Sequence, residues 1–249
     1  MKILVTGGAG FVGSVLCPML LQRDYKVRVV DNLMYGINGL FSCFNHENFE
    51  FIKGDIRDEV LMSKAVKDID VVIHLAAIVG YPSCKEHEND AFTVNVKGTA
   101  ILDRILPNNK LVIYPSTDSC YGSFGELCTE ETPLKPLTLY GETKATAETL
   151  LRKRGNIIIL RFATGFGISP RMRLDLLIND FVYKAVKERN LIVYEKHYQR
   201  AFVYVTDMAR AFIFALKNRD KMRNEVYNVG SEKLNLTKEQ VAELIHKKV

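Results

Sequence analysis

Three groups of residues have types and spacings suited to chemistry. Residues 6–13 read Thr-Gly-Gly-Ala-Gly-Phe-Val-Gly, directly after the apolar run Ile3–Val5 and directly before a helical pattern. Gly7, Gly10 and Gly13 fit GxxGxxG, while Gly8, Gly10 and Gly13 fit GxGxxG. Glycines at such a strand-to-helix junction permit a tight turn and let backbone approach a pyrophosphate. The N–H groups that open the helix, at Phe11, Val12 and Gly13, then face the anion. The second group is Tyr140 and Lys144 in Tyr-Gly-Glu-Thr-Lys. A spacing of four places both on one helical face, where an ammonium can stabilise a phenolate. A free tyrosine ionises near about 10 and is a poor base at neutral pH, so a neighbouring cation matters. Any YxxxK alone is chance-level, and an exposed helical pair is its bland alternative. The third residue, Thr117 in PSTDSCYG, follows the apolar run Leu111–Tyr114 and is expected just past a strand end. In open α/β sheets that carboxyl edge is where ligands bind.

Positioning these residues requires a particular order of elements. Ile3–Thr6, Val27–Asp31, Phe49–Lys53, Val71–Leu75, Leu111–Tyr114 and Ile157–Leu160 read as strands. They are short, rich in Val and Ile and not alternating, as parallel strands covered on both faces are. Helical patterns lie between them near 11–23, 58–67, 91–106 and 139–154, and later near 175–188, 207–217 and 237–247. The βαβα order predicts an α/β fold, a doubly wound parallel sheet of Rossmann type. No internal repeat or low-complexity linker appears, so a second lobe is expected to be interleaved with the first.

Asp31 ends the second strand run, 18 residues past Gly13. A carboxylate there hydrogen-bonds adenosine ribose hydroxyls and repels a 2′-phosphate, which favours NAD over NADP. Neither Asn32 nor Leu33 supplies the arginine that would argue for NADP. Gly54-Asp55-Ile56 follows the third strand at the expected adenine edge, and Leu75-Ala76-Ala77 follows the fourth, where small side chains permit close approach.

Composition sets the outer bounds. The chain has 249 residues, 47% hydrophobic and 25% charged, enough for a sizeable core. No apolar run approaches the roughly 20 residues of a membrane span. Five cysteines at irregular spacing, with no CxxC, predict reduced thiols in a cytoplasmic protein, and no metal-ligand spacing such as HExxH occurs. The first 125 residues carry 12 basic and 14 acidic side chains, and the rest carry 22 and 15. A basic second half suggests an anionic ligand, or simply a solvated face. No basic run is interleaved with aromatics, so nucleic acid is not expected as a partner.

TGGAGFVG, Asp31, GDIRD, HLAA, Asn95 in VNVKGT, STDSCYG and YGETK, in this order, resemble the extended short-chain dehydrogenase/reductase family. More narrowly they resemble its NAD-dependent nucleotide-sugar epimerase/dehydratase branch, over practically the whole chain. The resemblance implies NAD held by Gly7, Gly10, Phe11, Val12, Gly13, Asp31, Asn32, Asp55, Ile56, Leu75, Ala76, Ala77, Asn95, Tyr140 and Lys144. It implies that Tyr140 as phenolate takes a proton from a sugar hydroxyl, usually at C4, as hydride passes to the nicotinamide. Thr117 would hydrogen-bond the same oxygen, and Lys144 would hold the nicotinamide ribose and depress the Tyr140 pKa. Asp118, Ser119, Thr164, Arg171, Arg173, Asn179 and Arg200 are the implied substrate residues, Arg200 holding the diphosphate. The family's asparagine in R-x-x-N-V-Y-G-P is Thr164 here, so that carry-over fails.

Dehydratases of this branch usually carry Asp-Glu after the catalytic threonine, whereas this chain has Asp118-Ser119. The missing glutamate disfavours 4,6-dehydration and leaves C4 oxidation, as a dehydrogenase or a 4-epimerase. FGISPRMRLDLLINDF resembles a subgroup that includes enzymes acting on C4 of GDP-linked heptoses. A 4,6-dehydratase or 4-keto reductase is the alternative within this chemistry, and a non-catalytic NAD-binding sensor or scaffold is the alternative of another class; such non-catalytic relatives typically lose the tyrosine or lysine. Expected domains are an NAD-binding domain at 1–165, with 190–217 returning to it, and a substrate lobe at 166–189 and 218–249. That lobe is expected to be incomplete, because family members run longer. A homodimer is expected, through the helices at 91–106 and 139–154.

Overall fold

The protein is described here by a computed structural model covering residues 1–123 and 127–249. Its strands are β1 (Lys2–Thr6), β2 (Lys26–Asp31), β3 (Phe49–Lys53), β4 (Val71–His74), β5 (Leu111–Thr117), β6 (Ile157–Phe162), β7 (Thr164–Phe166), β8 (Gln199–Tyr204), β9 (Val226–Val229) and β10 (Asn235–Thr237). Its α-helices are α1 (Gly13–Leu21), α2 (Glu59–Ala65), α3 (Tyr81–Glu86), α4 (Glu88–Phe92), α5 (Thr99–Ile105), α6 (Leu139–Arg152), α7 (Leu177–Lys187), α8 (Val205–Lys217), α9 (Arg219–Met222) and α10 (Lys238–His246).

Seven strands form one sheet in the order β3-β2-β1-β4-β5-β6-β9, and every neighbouring pair is parallel. The order reverses between β1 and β4, which opens a crevice at the carboxyl edge of the sheet. Side chains alternate across the sheet, as the two-residue period of a strand requires. On β1, Ile3 and Val5 face a core with Leu16, Leu20 and Phe212, while Leu4 faces the opposite core with Leu102, Val112 and Leu151. A smaller sheet, β10-β8-β7, lies over a third cluster of Phe181, Phe202, Val241 and Ile245.

Three departures from the expected elements bear on the site. First, β5 continues through Pro115 to Thr117, because β6 pairs with it as far as Thr117↔Phe162. The β4 pairing ends at Ile113, so Pro115 lies where the sheet has already opened on that side. Thr117 is therefore the last residue of a strand and not the start of a loop. Second, the expected helix at 91–106 is α4 and α5 joined by a π-helical turn at Thr93–Gly98. Third, the segment 190–217, expected to return to the NAD-binding domain, divides between the small sheet and the core of the large one. β8 joins the small sheet through β7 and β10, whereas α8 packs through Phe212 and Leu216 into the core that also holds Leu16 and Leu20 of α1. β9, expected in the lobe, pairs with β6 in the large sheet. The sequence around β9, Val226-Tyr-Asn-Val229, is too short for periodicity to show which sheet it joins.

Candidate active site

The glycine-rich turn has the conformation its sequence demands. Gly7 adopts φ +72°, and a Cβ placed there would stand 2.6 Å from the Ala76 nitrogen. Only glycine lets β1 turn that close to the chain leaving β4. No side chain caps α1 and no acidic residue lies in its first turn, so the positive end of the helix is left for an anion. The Asp31 carboxylate, at the end of β2, accepts from the Ala9 and Leu33 N–H groups at 2.9 and 2.8 Å. Burial raises its pKa against those two bonds. Asp55 is held by Arg57 through Nε at 2.9 Å and Nη2 at 2.7 Å. Arg57 also reaches Asp90 at 2.8 Å. The turn, the uncapped helix and the carboxylate at the second strand's end together fit a dinucleotide. They would hold its pyrophosphate and one ribose.

Across the crevice, α6 starts at a Thr138 N-cap whose Oγ1 accepts from Gly141 N–H at 3.1 Å. A Cβ at Gly141 would lie 2.8 Å from the Ser119 carbonyl. The glycine after Tyr140 therefore lets the helix start press against the turn that follows Thr117. Tyr140 and Thr117 are brought together as a result, and the Thr117 hydroxyl favours the ionised form of the phenol. Thr117 also donates to Asp118 at 3.2 Å, and Ser119 N–H bonds Thr117 Oγ1 at the same distance.

Lys144 is 3% exposed, with Nζ over the Tyr114 ring at 4.0 Å from its centroid. Burial brings its pKa down to about 8, against the pull of Cys120, Glu148 and Cys84. Tyr140 departs from expectation. Burial of the phenol pushes its pKa above the ordinary value, Cys120 and Asp118 add to that, and Thr117 and Arg173 oppose it. Lys144 is not among these leading influences. Asp118 is also raised, chiefly by burial, against Thr117 and the Arg200 charge.

The remaining expected residues divide into those that face the crevice and those that brace it. Arg173, paired with Asp175, lies beside Gly80 and acts on both Tyr140 and Cys84. Arg200 is exposed on β8 and faces Asp118. Thr164 opens β7. Asn95, expected at the cofactor, is a brace. Its Oδ1 accepts from Ile78 N–H at 2.8 Å, and its Nδ2 donates to the Ile78 carbonyl and to Thr143 Oγ1, each at 3.0 Å. It thus ties the chain after β4 to α6. Asn179, expected to line the substrate site, likewise pins a loop by accepting from Gly167 N–H and donating to the Arg173 carbonyl, both at 2.9 Å. Arg171 is near enough to Arg173 for that charge to lower its pKa, after burial. Its guanidinium lies 3.9 Å from the centroid of Tyr35 and acts on Asp31, on the dinucleotide side.

Sequence reasoning missed one buried group entirely. Glu148, 1% exposed, receives the Arg161 guanidinium at 2.6 Å and the Ser116 hydroxyl at 2.6 Å. Arg161, 2% exposed, also donates to Tyr121 Oη at 2.8 Å and to the Glu130 carbonyl at 3.0 Å. The available signal was a charge four residues past Lys144 on the same face of α6, opposite a charge inside the apolar run of β6.

A nucleotide-binding Rossmann protein with a tyrosine, lysine and threonine at the carboxyl edge is the class that this fold and site define. A family model described as the NAD dependent epimerase/dehydratase family matches residues 3–230, and the chain belongs to that family. It is 32% identical to a putative UDP-glucose 4-epimerase of Methanocaldococcus jannaschii, over 93% of this chain and 77% of that protein. It is 30% identical to the human dTDP-D-glucose 4,6-dehydratase, over 92% of this chain and 69% of that protein. A point variant of the Bacillus cereus UDP-glucuronic acid 4-epimerase, solved with a fluorinated UDP-sugar and NAD, superposes with a TM-score of 0.90 at 30% identity. That match covers 99% of this chain and 82% of the other. The family is NAD-dependent, and its members described here are nucleotide-sugar epimerases and dehydratases. No helix among the described residues is long and apolar enough to cross a membrane.

Proposed function

We propose that this protein oxidises C4 of a nucleotide-linked sugar, acting as a 4-epimerase or a C4 dehydrogenase. The observation that carries this reading is the meeting of Tyr140 and Thr117 at the carboxyl edge of β5, with Lys144 buried one helical turn further along α6. NAD, when bound, supplies the hydride acceptor. Tyr140 Oη exchanges a proton with the sugar hydroxyl, and Thr117 Oγ1 orients that oxygen. Tyr140 as it stands is a phenol, and its use as a base draws on nearby positive charge, of which Arg173 is the contribution visible in the structure. Arg200, exposed on β8, would meet the diphosphate, for which a guanidinium suits bidentate contact.

One observation favours the 4,6-dehydratase reading. Burial of Asp118 beside Thr117 favours its protonated form, the form a proton donor needs. Elimination also needs a base, and Ser119, which stands next in the chain, is not one. The reading as an epimerase or dehydrogenase is therefore preferred, a GDP-heptose being one candidate substrate. Tyr140→Phe is expected to lower turnover by about a hundredfold or more while NAD remains bound. Unchanged turnover would sink the catalytic assignment, and a wild-type protein inactive on every UDP-, GDP-, CDP- and dTDP-sugar tried would favour a sensor. Net absorbance at about 340 nm identifies a dehydrogenase, whereas a new sugar by NMR without it identifies an epimerase. We place the work in carbohydrate biosynthesis in the cytoplasm, by a homodimer formed through α5 and α6, which gel filtration with light scattering tests.

A further inference from the structure

Residues 169–171 form a strap from the substrate lobe that docks on the glycine-rich turn itself. Ser169, 5% exposed, donates to the Phe11 carbonyl at 2.7 Å. Its proton is thereby used, so the Ser14 hydroxyl donates to Ser169 Oγ, also at 2.7 Å. Ser14 Oγ in turn accepts from Arg171 N–H at 3.4 Å. The 3₁₀ turn after β2 closes the same junction. A Cβ at Gly39 would stand 2.7 Å from the Ala9 carbonyl, 2.9 Å from Ser14 Cβ and 3.3 Å from Arg171 Cβ. Three segments distant in sequence therefore meet with no space between them, at the mouth of the pyrophosphate turn. The Arg171 side chain continues from this anchor onto Tyr35, itself 53% exposed, and stacks 3.9 Å from its centroid.

We infer that Ser169 and Arg171 close over the adenosine half of the bound dinucleotide. Arg171 is then an NAD-binding residue, and the strap makes NAD slow to exchange. The inference rests on the proposed NAD-dependent reading and deepens it. The cation is fixed from below by a buried hydroxyl relay and from above by an aromatic face, so it needs little ordering when an anionic ligand arrives. Its charge acts on Asp31, on the side where the ribose is expected. A strap anchored in this way must detach before the dinucleotide can leave. An enzyme that returns its hydride each cycle tolerates such retention, because it has no need to exchange NAD.

The test follows exchange of labelled NAD against unlabelled NAD on the full chain, with the melting temperature of the NAD-free protein confirming that each variant folds. Arg171→Ala and Ser169→Ala are each expected to speed NAD release by about tenfold. Arg171→Lys, which keeps the charge and loses the planar stack, is expected to fall between them and wild type. Tyr35→Ala, at an exposed position, supplies the same reading if Arg171→Ala does not fold. Binding of UDP and dTDP, used as probes of the sugar-nucleotide side, is expected to stay within twofold of wild type, roughly the scatter of such constants. Unaltered NAD release in these variants overturns the inference alone. Weakened UDP or dTDP binding with unaltered NAD release returns Arg171 to the substrate and also overturns it. A wild-type protein that binds no NAD overturns the underlying reading as well.

Discussion

His74 closes β4 with both ring nitrogens engaged. Nδ1 lies 2.8 Å from Thr6 Oγ1, and Nε2 lies 3.0 Å from Thr99 Oγ1. Thr99 donates its proton to the Asn95 carbonyl at 2.7 Å, so it accepts from Nε2–H, and Nδ1 accepts from Thr6. A ring in this state has no place for a second proton, and burial together with the Lys144 charge lowers its pKa to about 3. Its folded value lies below the ordinary 6.5, so it contributes stability in full above pH 6.5 and loses it as pH falls towards 3. The expected slope is about 1.4 kcal/mol per pH unit across that window. Urea melts at several pH values on wild type and His74→Gln measure it. The variant should lack this part of the slope, and parallel curves would show that His74 titrates normally. Asp31 lies where its strand ends, a property of local sequence. Asn95 was assigned by motif to the cofactor, but its amide is fully engaged with Ile78 and Thr143, and no motif reveals such partners.

At the scale of elements, the placement of Tyr140 and Lys144 depends on how α6 sits against β5 and β6. The Glu148–Arg161 pair joins α6 to β6, Ser116 adds β5, and Arg161 reaches the loop at Glu130. Both charges are out of water, so removing one strands the other. Glu148→Ala is expected to cost about 3–5 kcal/mol, measured by urea denaturation, while replacing both partners with apolar residues should cost less. A loss below about 1 kcal/mol, typical of exposed pairs, would show that water reaches the site. The π-helical turn between α4 and α5 is a second device at this scale. Periodicity predicts one continuous helix at 91–106, and the turn departs from it where Asn95 must face Ile78 and Thr143 together. Such turns often mark functional sites. The strands were more legible than the helices' interruptions, because a buried parallel strand declares itself by apolar run alone.

At the scale of the molecule, the crevice between β1 and β4 joins the cofactor turn to the reactive helix, and the strap adds the lobe. Ligand that binds only the folded state stabilises it by mass action. NAD at a hundred times its Kd is expected to add about 2.7 kcal/mol to unfolding, and a nucleotide sugar that fits should add more on top. No change of the melting temperature with NAD would contradict the cofactor assignment. The basic second half, read as a sign of an anionic ligand, is partly internal: Arg161 pairs with Glu148 and Arg173 with Asp175. By itself, the sequence determined the first six strands of the sheet, the glycine turn, Asp31 and the spacing of Tyr140 and Lys144, because each rests on contacts within a few residues. Tertiary structure alone decided that β9 closes the large sheet while β8 leaves it, that Glu148 holds Arg161, and that Arg171 stacks on Tyr35. Those outcomes depend on partners that are far apart in the chain, and a short-range pattern of residue types carries no record of which distant groups will meet.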